Sequence, residues 1–215
     1  MDPVKKKRDS IQNERQGNME PRISKVHRKT GETDISMTLT LDGSGKAEIS
    51  TGIGFFDHMM DAFTRHGLFD LALDVKGDLH VDGHHTVEDT GIVLGEAIRK
   101  AAGDKKGMKR YGFFVLPMDE ALILCAVDLC GRPYFVMEGE PISAPMVGDF
   151  DTELVREFFY SVSYSAAMNL HFKILSGTNA HHIIEGMFKC FSKALDMATQ
   201  KEERITDVLS TKGSL

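Results

Sequence analysis

The sequence predicts an α+β fold in which one strand-strand-helix-strand-helix unit occurs twice, and three observations carry that prediction. Hydrophobic spacing alternates between a period of two and a period near 3.6 in the same order in both halves of the chain. The motif His84-His85-x-x-Glu88 recurs as His181-His182-x-x-Glu185, an offset of 97. The apolar helix positions keep that offset, with Val87, Gly91, Leu94 and Ile98 falling on Ile184, Phe188, Phe191 and Leu195.

The first element is read from Ile35, Met37, Leu39 and Leu41, which alternate, then turn at Asp42-Gly43-Ser44-Gly45 and resume with Ala47 and Ile49; this predicts a β-hairpin. A helix follows over about 55–66, a strand through Leu71, Leu73 and Val75, and a second helix over about 83–102. The second half repeats the order. Apolar segments at 113–116 and 121–129 precede a helix over about 152–167, a strand through Leu170, Phe172 and Ile174, and a helix over about 180–199. Upstream of the two motifs the offset becomes 99, which pairs Leu71, Leu73 and Val75 with Leu170, Phe172 and Ile174 and sets His58 opposite Glu157. With sheet on one side of each half and helices on the other, the halves form a sheet/helix sandwich with pseudo-twofold symmetry. The boundaries expected are a flexible arm at 1–20, one domain over 21–215 with half-repeats at about 26–106 and 107–205, and a tail at 206–215.

Composition excludes several function classes. The 215 residues are 41% hydrophobic with a formal charge of -6, so bulk electrostatics disfavour nucleic acid and anionic membranes, and the Lys5-Lys6-Lys7-Arg8 run is read as solvated. Neither a signal peptide nor a membrane-spanning apolar run is visible, which predicts a cytoplasmic protein. Three cysteines without a Cys-x-x-Cys pair argue against a disulfide framework, a thiolate zinc site and a cysteine redox centre.

The chemistry lies in nine histidines, four of them in adjacent pairs. On a helix, the histidines and glutamate of each motif project from one side of the first two turns, where imidazole and carboxylate converge. Asp82 and Asn179 stand two residues before each pair as candidate N-caps, and a helix N-terminus disfavours protonated imidazole, keeping its lone pairs available. Chance would supply roughly 0.02 copies of the pattern in a chain of this composition, so two copies in register point to metal binding. Each half offers four ligands at matching positions: His58, His84, His85 and Glu88, then Glu157, His181, His182 and Glu185. Eight ligands suit two metals. Nitrogen and carboxylate donors without thiolate suit six-coordinate Mn(II), ahead of Fe(II), Co(II) or Zn(II). Adjacent helical histidines point about 100° apart, so the members of each pair serve different metals, assembled from both halves or from neighbouring subunits. His171 has Ala72 as its register partner and reads as a supporting or structural residue, and His66 as a group near the site at the end of its helix.

The segments GIGFFDHMM (52–60), DGHHTVEDTGIVLGEAI (82–98), FDTELVREFF (150–159), GTNAHHIIEGMFKCFSKAL (177–195) and STKG (210–213) together resemble the imidazoleglycerol-phosphate dehydratase family, in order and over nearly all of the chain beyond the arm. The resemblance implies a duplicated fold like the second domain of a small-subunit ribosomal protein. It implies dehydration of D-erythro-imidazole glycerol phosphate to imidazole acetol phosphate in histidine biosynthesis, with two Mn(II) per active site. It further implies a homo-oligomer of twenty-four subunits built from trimers, with sites between subunits and a small phosphate ester as substrate. The proton to be lost sits on a carbon with no carbonyl beside it, so the imidazole ring, held by metal at both nitrogens, must take up the charge as an imidazolate. By the same resemblance Glu32 and Glu185 are acid/base groups, and Glu32, His66, Arg110, Arg132, Lys189, Ser210 and Lys212 bind substrate. The chain departs from the family's common pattern at Glu157, where histidine is frequent, at Leu209, where proline usually precedes STKG, and at Gly83, where an acid is common. Two other readings of the motifs are a dinuclear metallohydrolase and a non-catalytic metal-binding assembly.

Overall fold

The computed structural model describes residues 20–215; the predicted N-terminal arm lies outside the described residues apart from Glu20. Ten strands and four helices follow in the order β1 (Ile23–Lys29), β2 (Thr33–Thr40), β3 (Ala47–Ser50), α1 (Gly54–Gly67), β4 (Asp70–Gly77) and α2 (His84–Ala102). The second half follows as β5 (Tyr111–Met118), β6 (Ala121–Asp128), β7 (Tyr134–Glu138), a short β8 (Met146–Val147) and β9 (Phe150–Asp151) pair, α3 (Leu154–Ala166), β10 (Asn169–Ser176) and α4 (Ala180–Thr199). The two main sheets have the same topology, β1-β2-β4-β3 and β5-β6-β10-β7.

The first half thus contains the predicted order with one strand more before its first helix, and the second with β7 and the short β8–β9 pair added before its own. The predicted hairpin is corrected. β2 pairs antiparallel with β1, whereas β3 leaves β2 and joins β4 in parallel. The Asp42–Gly45 turn is a sheet-crossing connection, held because the Asp70 carboxylate accepts from the backbone N–H groups of Ser44 (2.7 Å) and Lys46 (2.9 Å).

Strand burial alternates, so each sheet has one covered face, and the helices lie on it. α2 packs on the first sheet and α4 on the second; between these layers α1 meets α4 and α2 meets α3. The helix layer is rich in phenylalanine, with Phe63 stacked on Phe191 at 5.6 Å and Phe158 on Phe188 at 5.1 Å. Each such ring contributes about 2–3 kcal/mol by burial. The α2–α3 contact is closer, because Gly91 and Gly95 face α3: a Cβ on either would lie 2.7 Å from the carbonyl oxygen of Phe158 or 2.6 Å from that of Val162. Among the described residues no helix is long and apolar enough to cross a membrane.

Candidate metal centre and active site

α1 and α4 begin side by side and run in the same direction, which brings three predicted ligands together. The Nε2 atoms of His58 and His181 lie 3.4 and 3.0 Å from Glu185 Oε2, and one donor atom from each residue falls within 4.8 Å of the others. Glu185 is buried, and its other oxygen takes the Lys189 ammonium at 2.5 Å, one turn further along α4. Burial pushes this carboxyl up, but the hydrogen bond and charge of Lys189 together with His181 outweigh it and hold the group below its ordinary range. His66, two turns beyond His58, stands near Lys189 and Lys193; burial and those ammonium charges hold its imidazole below the ordinary value.

The pseudo-twofold relation repeats the frame with α3 and α2. His84 and Glu88 approach to 3.8 Å, and Glu157 lines the same small cavity as His84, with Asp82 and Asp151. This second cluster is more open.

His85 and His182, the second histidines of the pairs, turn away from these clusters, as the helical spacing predicts. His85 Nδ1 donates to Asp78 at 2.9 Å and its Nε2 faces Glu32 at 3.7 Å. His182 Nδ1 donates to Glu120 at 2.7 Å and its Nε2 faces Asp119 at 3.5 Å. The expectation that the helix N-terminus disfavours the protonated rings is corrected for both: the hydrogen bond that His85 donates to Asp78, and that which His182 donates to Glu120, raise the two imidazoles above their ordinary value. Close carboxylates outweigh a helix terminus. The capping expectation holds for Asn179, whose side chain accepts from His182 N, while Asp82 precedes an N-cap at Gly83 and accepts from His84 N at 2.8 Å.

Glu32 sits in the β1–β2 turn, where Thr30 Oγ1 accepts from the backbone N–H groups of Glu32 and Thr33, and Thr33 Oγ1 donates to the buried Asp89 at 2.5 Å. Arg28 also reaches Asp89, so the turn is pinned to α2 beside the motif. The remaining predicted substrate groups form a separate set. Arg110 clasps Asp128 through Nε and Nη2 at 2.6 and 3.0 Å and donates from Nη1 to the carbonyl of Leu209, which draws the tail bearing Ser210 and Lys212 to this edge. Gly131, next to Arg132, abuts the backbone of Leu215. Lys189 is not among them: its Nζ lies 3.9 Å from Met118 Sδ, at the far end of β5 from Arg110, about 26 Å away along the strand at 3.3 Å per residue. His171 lies on the outer face of the second sheet, stacked on Tyr134, and belongs to no metal-ligand cluster among the described residues. Sequence reasoning missed Asp78 and Glu120; their signal is structural, because the strand pairing that aligns the two hairpins was misread.

A duplicated α+β fold with two histidine/carboxylate clusters, one beside a lysine, defines a class of candidate metal-dependent enzymes. A family model for imidazoleglycerol-phosphate dehydratase matches residues 51–195. The enzyme of that name from Lachnoclostridium phytofermentans is 60% identical, covering 90% of this chain and 98% of its own, and that from Acetivibrio thermocellus is 58% identical over 88% and 97%. The crystal structure of the Staphylococcus aureus enzyme superposes with a TM-score of 0.76 at 38% identity, covering 84% of this chain and 99% of that one. A Pyrococcus furiosus structure gives 0.76 at 37%, over 88% and 100%. The chain belongs to the imidazoleglycerol-phosphate dehydratase family and is a hydro-lyase of histidine biosynthesis.

Proposed function

We propose that this hydro-lyase converts D-erythro-imidazole glycerol phosphate to imidazole acetol phosphate with two Mn(II) ions per active site. The observation that carries the reading is the His58–His181–Glu185 cluster, whose donor atoms lie within 4.8 Å of one another. The donors fit a hard or borderline six-coordinate ion, and the three cysteines are buried as free thiols. His58, His181 and Glu185 would hold one ion, and His84, Glu88 and Glu157 the other; His85 and His182, turned outward, would complete positions on neighbouring subunits. Metal held by these residues would supply Lewis acidity, so that the substrate's imidazole ring could act as the electron sink.

The protein's own groups do the rest. Glu32 moves the proton at the reacting carbon, and Glu185 combines ligation with proton transfer under the influence of Lys189. His66, whose imidazole burial and the Lys189 ammonium hold below its ordinary value, orients the substrate. Arg110, Arg132, Lys189, Ser210 and Lys212 grip the phosphate, concentrating cations that the net charge of -6 otherwise lacks. Lys189 and the Arg110 edge lie at opposite ends of β5, so one phosphate meets both only when subunits combine. That separation supports a homo-oligomer, proposed as twenty-four subunits built from trimers. The exposed apolar side chains on the second sheet's outer face, Phe113 at 64% and Tyr134 at 60%, support subunit contact there. The same reading makes the enzyme cytoplasmic, with no nucleic-acid or membrane partner.

The test is metal analysis of purified protein together with turnover of imidazole glycerol phosphate, with and without chelator. Bound manganese, with activity lost on chelation and restored by Mn(II), is the expected result. An inactive, fully manganese-loaded protein overturns it.

A further inference from the structure

The strand pairings relate the two hairpins more closely than the helices alone suggest. β1 pairs with β2 and β5 with β6 in the same register, Ile23 with Thr40 and Tyr111 with Asp128, an offset of 88 at both positions. Carried into the turns, that offset sets Glu120 on Glu32. The duplicated unit therefore supplied each half with a glutamate at the same point of the same turn, facing the second histidine of its motif.

The two glutamates are nevertheless used differently. Glu32 is exposed, and its carboxylate faces Nε2 of His85 at 3.7 Å. In that half the ring's Nδ1 is already taken by Asp78, just beyond the end of β4. The counterpart of Asp78 at the offset of 99 is Gly177, which has no side chain to offer. Glu120 fills the gap: Oε2 accepts from His182 Nδ1 at 2.7 Å, and Oε1 accepts from the backbone N–H groups of Asn179 at 2.8 Å and Thr178 at 3.1 Å. These are the bonds of an anchored carboxylate. A carboxylate on one ring nitrogen fixes the tautomer and orientation of a metal-binding histidine and raises its basicity at the other nitrogen.

We propose that Glu120 is a positioning residue for the metal centre: it holds His182 with Nε2 presented outward as a ligand, as Asp78 does for His85, while its repeat partner Glu32 is left free for proton transfer. The proposal rests on the reading of His182 as a metal ligand.

The test is Mn(II) affinity of the assembled protein, measured by competition with a chelator of known affinity, for Glu120→Ala, Glu120→Gln, His182→Ala and the double variant Glu120→Ala/His182→Ala. Glu120→Ala is expected to weaken Mn(II) binding about 10- to 100-fold. Glu120→Gln, which has one acceptor for three donors yet keeps the shape of the turn, should fall between it and the parent. Once His182 is alanine, Glu120→Ala should produce no further loss. Unchanged affinity in Glu120→Ala, while His182→Ala weakens binding, overturns the proposal and leaves the metal reading standing. Unchanged affinity in His182→Ala overturns both. An equal loss from Glu120→Ala with and without His182 also overturns the proposal, because the effect would then come from the 177–179 turn.

Discussion

The α1–α4 cluster and its pseudo-twofold twin on α3–α2 stand on the same backbone frame and share a histidine and a glutamate, but differ in the third donor and in the groups around them. The first has two histidines and one buried glutamate; the second has His84 with two carboxylates, Glu88 and Glu157, in a more open setting. Lys189 faces Glu185, whereas the offset of 97 sets Ile92 beside Glu88, and His66 corresponds to Ser165. Duplication supplied two equal frames, and substitution made one of them the electrostatically tuned partner. The difference teaches that symmetry of fold does not carry symmetry of role.

The largest effect should come from the tuned side. Glu185→Gln would remove the proposed ligand and proton-transfer group and leave the partly buried Lys189 ammonium without its partner. We expect kcat to fall by roughly 10³-fold or more, near the upper range for an acid/base group. Glu88→Gln, in the open cluster, should cost about ten- to a hundredfold. Steady-state kinetics with metal content measured on the same samples checks this, and equal losses would break the comparison.

The helix contacts beneath the clusters differ in the same way. Gly91 on α2 and Phe188 on α4 are repeat partners: the first lets α3 approach closely, and the second fills a wider space with a stacked ring. Phe188→Ala should cost about 3–5 kcal/mol by cavity formation, and Gly91→Ala about 1–3 kcal/mol by overpacking against the Phe158 carbonyl. Denaturant unfolding of metal-free protein gives both values. A neutral Gly91→Ala would show that α3 can retreat.

Glu157→His sharpens the comparison by giving the open cluster the donor types of the tight one. Mn(II) affinity should change only a few-fold while preference shifts toward Co(II) and Zn(II), which imidazole suits better. Competitive metal loading measured by mass spectrometry reads that preference, and an unchanged preference would remove Glu157 from the ligand set.

Much of this was legible in the chain because it lies on long amphipathic helices. The register of 97 and 99 predicted that His58 and Glu157 occupy matching places, and the structure sets each beside a motif of the opposite half. The strands were harder to read. In β1 only Ser24 and Val26 are buried among polar neighbours, so its alternation is nearly silent. The Asp42–Gly45 segment carries strong turn residues, which masked that β3 crosses to β4. Without the true hairpin pairing the offset of 88 was invisible, and Glu120 with it. Nor does periodicity reveal that Arg110 and Lys189 lie at opposite ends of one strand.

The smallest expected effect compares the connections before β3 and β7, which the first residues of β4 and β10 hold. Asp70 accepts two backbone N–H bonds from the crossing turn, whereas its partner at the offset of 99 is Asn169, whose neutral amide donates to the carbonyl of Arg132 at 2.8 Å. The hydrogen bonds from Lys46 and Ser44 favour the ionised form and hold the Asp70 carboxyl below its ordinary 3.8. A depressed carboxyl contributes stability that is present above the unfolded value and is lost as the pH falls through the folded one. Asp70→Asn should therefore lower the Tm of metal-free protein slightly near neutrality, and the gap from the parent should close as the pH falls below about 3.8. A gap of the same size at both ends of that range would mean that shape rather than charge holds the first crossing, as it does in the second half.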